Sequence, residues 1–194
     1  MGQRSQIYVR CNKKLVVANY YHWNYAERMI SRARWGIEYI KNILIGYKDY
    51  IFNDPYYMQT LSRVFDTNFD RKEVQISTDI IEEWKEQFPD DNFNDVVFRW
   101  QDNNNGKLFI DIFEDGTIKY AFLDRKCDTG NIMSASQYMN WDCEDWKENE
   151  YIEDEQKILC KNNLKVIEEI AVLMTKEEVE DFINYDYGYG NPQF

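Results

Sequence analysis

Alternating apolar positions near the beginning of the chain predict a β-hairpin. Residues 6–11 and 15–21 are rich in β-branched and aromatic side chains, and the polar stretch 12–14 separates them. A long helix is predicted next, with Asn24 and Glu27 at the spacing of a capping box. Its apolar residues recur every three or four positions, at Ile30, Ala33, Ile37, Ile40, Leu44, Tyr47 and Ile51.

The middle of the chain predicts a three-stranded antiparallel meander. Residues 96–101, 107–113 and 117–123 alternate between apolar and polar side chains, and turn-forming residues join them at 102–106 and 114–116. A short strand at 72–77 and a helix over 79–88 are predicted to precede this meander.

The C-terminal third predicts helices. Ser134 with Gln137 begins a helix that runs to about Trp146, and Thr175 with Glu178 begins a short last helix. Between them a helix or a pair of helices is predicted over roughly 152–173, and the inward residues are expected to be Ile152, Leu159, Val166, Ile170 and Leu173.

These elements predict an α+β fold. An antiparallel sheet is built from the N-terminal hairpin and the central meander, and the long first helix and the C-terminal helices pack against it. Residues 1–184 are expected to form a single domain, and residues 185–194 a flexible aromatic tail.

From its composition we expect the protein in the cytoplasm of a bacterial host, and its charges are unevenly distributed along the chain. No secretory signal and no apolar run long enough to span a membrane is present, and the four cysteines show no paired spacing, so we expect free thiols and no membrane contact. Residues 1–48 carry nine Lys or Arg against two Glu, a net of +7, whereas the remainder carries 14 basic against 33 acidic residues, a net of −19. The two groups of charges either neutralise each other within the fold or form separate interaction surfaces.

The most acidic stretch is the first candidate for a binding site. Carboxylate-rich surfaces attract basic proteins and compete with nucleic acid for them, so we expect this stretch to bind a basic protein that handles nucleic acid or serves in host defence. A solvated face with no partner is the simpler alternative. The residues expected to contact the partner are Asp142, Glu144, Asp145, Glu148, Glu150, Glu153, Asp154 and Glu155.

The basic N-terminal part supplies an alternative function. Arginine recognises phosphate through two parallel hydrogen bonds and aromatic rings stack on bases, so this part could bind a nucleotide or nucleic acid. A weak metal-dependent phosphoesterase would also need metal ligands, for which Asp124 and Asp128 are the candidates. The residues of this predicted surface are Arg4, Arg10, Tyr21, Trp23, Arg28, Arg32 and Arg34.

No catalytic motif accompanies these charges. His22 is the single histidine, no nucleophile motif or phosphate-binding glycine loop occurs, and we expect a non-enzymatic protein without a cofactor. The opening stretch MGQRSQIYVR, together with YYHWNYAERM at positions 20–29, resembles a family of small proteins from Firmicute phages and mobile elements. The resemblance covers about the first 40 residues and implies a biological context without assigning a site. Relatives carry Gly at the position of Ala26, where we expect Ala to be tolerated at the start of a helix.

Overall fold

The structure is a computed structural model that describes residues 3–53, 72–75, 94, 97–98 and 104–187. Within these residues there are six strands and four helices of regular length. The strands are β1 (Arg4–Cys11), β2 (Lys14–His22), β3 (Lys72–Gln75), β4 (Lys107–Ile112), β5 (Ile118–Leu123) and β6 (Val172–Leu173). The helices are α1 (Ala26–Asn53), α2 (Ala135–Asp142), α3 (Asp154–Ile170) and α4 (Lys176–Asn184).

The strands form one mixed sheet in the order β3-β2-β1-β4-β5-β6. The predicted α+β class and N-terminal hairpin are confirmed, since β1 and β2 are antiparallel neighbours. The expectation of a purely antiparallel sheet is wrong, because β1 pairs with β4 in parallel and β5 pairs with β6 in parallel. Strand direction between distant segments does not affect the alternation of side chains, so the sequence pattern could not show it.

The central meander is reduced to one hairpin in the described residues. Strands β4 and β5 are antiparallel, as predicted. The predicted strand over 96–101 lies mostly outside the described residues, and Val97 and Phe98 within it lie in a helical turn instead of a strand. The predicted helix over 79–88 also lies outside the described residues.

Both faces of the sheet are covered. One core contains Ile7 and Val9 of β1, Ile110 of β4 and the inward residues of α1, α2 and α3. The second core lies on the opposite face, where Phe109 of β4 packs with Phe182 of α4. Burial on both faces explains why the side chains of β4 are buried throughout, a pattern typical of central strands.

The long first helix is confirmed, but it bends near Tyr47 and begins differently from the prediction. Residues Ile30 to Leu44 of the apolar stripe are buried, whereas Tyr47 has non-helical backbone angles and is exposed. The preceding residue, Gly46, favours a bend because glycine is a poor helix former. Ala26, the first helical residue, has a φ of 42°. This left-handed conformation costs a non-glycine residue about 1–2 kcal/mol, so Ala is accommodated there with strain.

The C-terminal helices begin at the predicted capping boxes. The side chains of Ser134 and Thr175 accept hydrogen bonds from the backbone of the third helical residue in α2 and α4. The predicted inward face of α3 is shifted: its buried residues are Cys160, Asn163, Leu164 and Ile167, and Leu159 is exposed. Leu173 is also exposed, because it lies in edge strand β6. Among the described residues, no helix is both long and apolar enough to cross a membrane.

Candidate functional site

Seven carboxylates near the junction of α2 and α3 form an exposed acidic surface. The chain leaves α2 at Asp142 and passes through turns before α3 begins at Asp154. We use the term acidic surface for the exposed residues Glu144, Asp145, Glu148, Glu150, Glu153, Asp154 and Glu155.

Trp146 packs this connecting segment against the fold. Trp146 is buried in the first core, and its indole N–H donates to the side-chain oxygen of Asn140 at 3.1 Å. Its exposed neighbour Lys147 lies over the indole ring, with Nζ 5.8 Å from the ring centroid. With Trp146 turned inward, the carboxylates on either side of it project into solvent.

The acidic surface is almost free of ion pairs within the described residues. Its one salt bridge there joins Asp154 to Lys157 at 3.9 Å, and such a long pair, whose carboxylate is 95% exposed, contributes little. Carboxylates in the first turn of a helix are stabilised by the helix dipole, which accounts for Glu153, Asp154 and Glu155. It does not account for Glu144 to Glu150, which precede α3.

Large apolar side chains are exposed beside these carboxylates. Tyr151 is 98% exposed, and Ile158 and Leu159 on α3 are 59% and 56% exposed. Helical residues three or four positions apart are neighbours, so Glu155 lies beside both Ile158 and Leu159. Exposed apolar side chains next to charged residues are typical of protein-binding surfaces, where an apolar centre is surrounded by a polar rim.

Asp142 does not belong to the acidic surface. One of its carboxylate oxygens accepts the backbone N–H of Ala26 at 2.6 Å and the hydroxyl of Tyr138 at 3.0 Å, and the other accepts the side-chain amide of Asn105 at 2.7 Å. Burial raises the pKa of Asp142 although these hydrogen bonds act in the opposite direction. Asp142 therefore has a structural role: it satisfies the N-terminus of α1 and joins it to α2 and to the residues before β4.

This arrangement replaces the predicted capping box of α1. The side chain of Asn24 is buried, where its oxygen accepts from Nε of Arg32 at 3.1 Å and its amide donates to the Ser5 hydroxyl at 2.8 Å. Because these contacts occupy Asn24, the backbone N–H of Ala26 at the start of α1 is satisfied by Asp142 from a distant part of the chain.

Arg10 lies in the interior instead of on a basic surface. Its guanidinium donates to both carboxylate oxygens of Asp111, at 3.0 and 2.5 Å, and to the Asp181 carboxylate at 2.9 Å. The Arg10 side chain is 1% exposed and lies 4.6 Å from the centroid of the Phe182 ring. It thus connects the sheet to α4, and its charge is neutralised by carboxylates of the same fold.

The other arginines are also distributed over different environments. Arg32 is buried with its guanidinium 4.1 Å from the ring of Tyr21, and Arg34 pairs with Glu38 at 2.7 Å. Arg4 is half-buried at the start of β1. The structure therefore does not bring the predicted arginines onto one surface.

The exposed remainder of that predicted surface is small. Arg28 is exposed, donates to the backbone carbonyl of Trp23 at 3.3 Å and lies 5.8 Å from the ring of Tyr25. Trp23 is also exposed, and Trp23, Tyr25 and Arg28 all belong to the segment where β2 leads into α1. Nucleic-acid binding at this place stays a prediction.

The suggested metal ligands are used to shape a turn. A carboxylate oxygen of Asp124 accepts the backbone N–H groups of Lys126 and Asp128, at 2.9 and 3.2 Å. Asp128 in turn accepts the N–H of Gly130 at 2.8 Å. In the part of the chain that the structure describes, no group of three or more His, Cys, Asp or Glu side chains is placed to hold a metal ion.

The cysteines are unbridged thiols in the described residues. Burial raises the pKa of Cys11 and of Cys160 to about 12, which keeps both protonated and unreactive near neutral pH. Cys127 donates from its thiol to the backbone carbonyl of Phe98 at 3.1 Å. These environments are those of structural cysteines.

Comparison with known proteins adds no family to this description: no family model, curated protein or solved structure matches the chain.

Proposed function

We propose that the protein is a non-enzymatic binding protein whose acidic surface binds a basic protein, one that handles nucleic acid or serves in host defence. One observation carries the proposal: seven carboxylates are exposed around a single lysine, Lys147, and only Asp154 has an ion-pair partner among the described residues. Such a surface has an unneutralised negative field, which attracts basic partners and speeds their association.

The position of the basic residues supports the same function. Arg10, Arg32 and Arg34 make contacts within the fold, so these three arginines do not form a basic surface. The net charge of −12 repels free nucleic acid. A protein with Lys and Arg on its surface is therefore a better partner for this chain than nucleic acid.

The proposal is tested by reversing charge at two residues of the acidic surface. The variant Glu144→Lys/Glu148→Lys changes two exposed residues that lie outside the helices, so we expect it to fold normally. Tagged wild-type protein and variant are used to capture proteins from a bacterial lysate, with quantitative mass spectrometry as the readout. We expect basic proteins that bind the wild type to be lost with the variant, and to be released as salt rises from about 50 to about 300 mM, since salt screens exposed charges.

A matched control changes the same charge elsewhere. Glu169→Lys/Glu177→Lys alters the net charge equally, and Glu169 is exposed near the far end of α3, about 24 Å along the helix from Glu153. The control should capture the same basic proteins as the wild type. Equal capture by wild type and by both variants would contradict the proposal.

A further inference from the structure

The exposed face of α3 changes character along the helix. Its first turn carries Asp154 and Glu155, its second turn exposes Ile158 and Leu159, and the exposed lysines Lys161 and Lys165 follow. At a rise of about 1.5 Å per residue, the apolar pair lies about 6–8 Å from Asp154 along the helix axis. Acidic, apolar and basic zones therefore follow one another within three helical turns.

The apolar pair is exposed although α3 has a buried face of its own. Cys160, Leu164 and Ile167 pack into the first core, and Asn163 donates to the hydroxyl of Ser31 on α1 at 3.0 Å. The packing of α3 on α1 is thus complete without Ile158 and Leu159. Burying two such side chains against a partner is favourable, because their apolar area is removed from water.

The charges around this pair discriminate between possible occupants. A symmetric second copy centred on the apolar pair would set Asp154 and Glu155 of one copy against Lys161 and Lys165 of the other, but each copy has a net charge of −12, and two such chains repel each other as a whole. A partner that carries Lys and Arg beside its own apolar residues is complementary in both respects. Tyr151, which is fully exposed between the carboxylates, adds an aromatic side chain of the type enriched at binding hot spots.

We infer that the partner contacts this protein through a segment in which a cluster of Lys or Arg adjoins apolar residues. The basic cluster lies over the acidic surface, and the apolar residues cover Ile158 and Leu159. The inference rests on the proposed function and deepens it, because it adds an apolar requirement to the electrostatic one. Charge alone then attracts the partner, and the apolar contact determines which basic segment stays bound.

The inference is tested with two labelled peptides of equal charge and fluorescence anisotropy. Both have a lysine-rich first half; one has leucines at three- and four-residue spacing in its second half, and the other has serines at the same positions. We expect the leucine peptide to bind the wild-type protein at least about tenfold more tightly, because each buried apolar side chain contributes about a factor of ten. Ile158→Gln/Leu159→Gln should remove this preference while keeping good helix formers on α3.

Two control variants distinguish the outcomes. Ile45→Gln removes an exposed apolar side chain from α1, far along the chain from the acidic surface, and should leave the preference for leucine intact. Glu144→Lys/Glu148→Lys should weaken binding of both peptides. If both peptides bind equally and both depend on Glu144 and Glu148, the inference is overturned and the proposed function stands. If the binding of neither peptide depends on Glu144 and Glu148, the inference and the proposed function are both overturned.

Discussion

Replacing Arg10 by methionine tests whether the ion pairs of Arg10 with Asp111 and Asp181 stabilise the packing of α4 on the sheet. Arg10→Met leaves the Asp111 carboxylate, which is 5% exposed, without the guanidinium that contacts both of its oxygens. Leaving one member of a buried pair unpaired costs about 3–5 kcal/mol. With an m-value of about 2 kcal/mol per molar urea, the unfolding midpoint should fall by about 2 M.

A double replacement identifies the cause of this loss. In Arg10→Met/Asp111→Leu the buried carboxylate is absent, and replacing a whole buried ion pair by apolar residues is often neutral or stabilising. We expect the double variant to recover at least half of the lost stability. Lys13→Ala is the surface control: Lys13 also pairs with Asp181, but both side chains are nearly half exposed, so the loss should stay below about 1 kcal/mol. If the single and double variants unfold at the same urea concentration, an unpaired Asp111 is not the cause and the reasoning fails.

Four further predictions concern two backbone positions, pH and nucleic acid. Ala26→Gly should raise the free energy of unfolding by about 1 kcal/mol because φ at this residue is 42°. Gly106→Ala should lower the free energy of unfolding by more than about 1 kcal/mol, since φ there is 78° and a Cβ would lie 2.5 Å from the carbonyl oxygen of Leu123. Urea unfolding measures both variants. A Gly106→Ala variant more stable than the wild type would contradict this reasoning. Burial alone would raise the pKa of Asp181, but hydrogen bonds from Lys13 and Arg10 outweigh it and lower this pKa. The stability that Asp181 contributes is therefore present above its unfolded pKa of about 3.9 and is lost as pH falls through the lower folded pKa. The urea midpoints of wild type and Asp181→Asn should therefore converge at acid pH. A constant difference between these midpoints down to about pH 2 would count against this. Labelled RNA or DNA should hardly bind at low salt in anisotropy measurements; tight binding that Arg28→Ala abolishes would favour the alternative function.

The local elements of this fold could be predicted from the sequence because their signals are local. The capping boxes at Ser134 and Thr175 each lie within four residues, and the hairpin of β1 and β2 joins neighbouring strands. The parallel pairing of β1 with β4 joins segments about 100 residues apart and has no local signal. The same limit applies to Asp142, whose carboxylate reaches the first residue of α1 from the end of α2.

The sequences of β1 and β4 contain a signal for the interior position of Arg10. β1 and β4 each carry one charged residue in a largely apolar inner stretch, Arg10 and Asp111, of opposite sign. The two residues are directly paired in the sheet. A lone charge of each sign in the otherwise apolar stretches 7–11 and 108–112 predicts a buried pair, since an unpaired charge there is unfavourable. This signal indicates that the two strands are neighbours, although it does not give their direction.

The net charge of the chain also bears on the acidic surface. Each internal ion pair, such as Arg10 with Asp111, removes one charge of each sign, so pairing leaves the net charge of −12 unchanged. The net charge must therefore be carried by carboxylates without a cationic partner, and the acidic surface contains six such residues among those described, all except Asp154. Under the proposed function, a basic partner gains most from contacting these unpaired carboxylates. For this reason, charge reversal at Glu144 and Glu148 should reduce the salt dependence of such a partner's association rate more than charge reversal at Glu169 does. Glu169 is paired with Lys165 at 3.6 Å, so its charge is already partly neutralised.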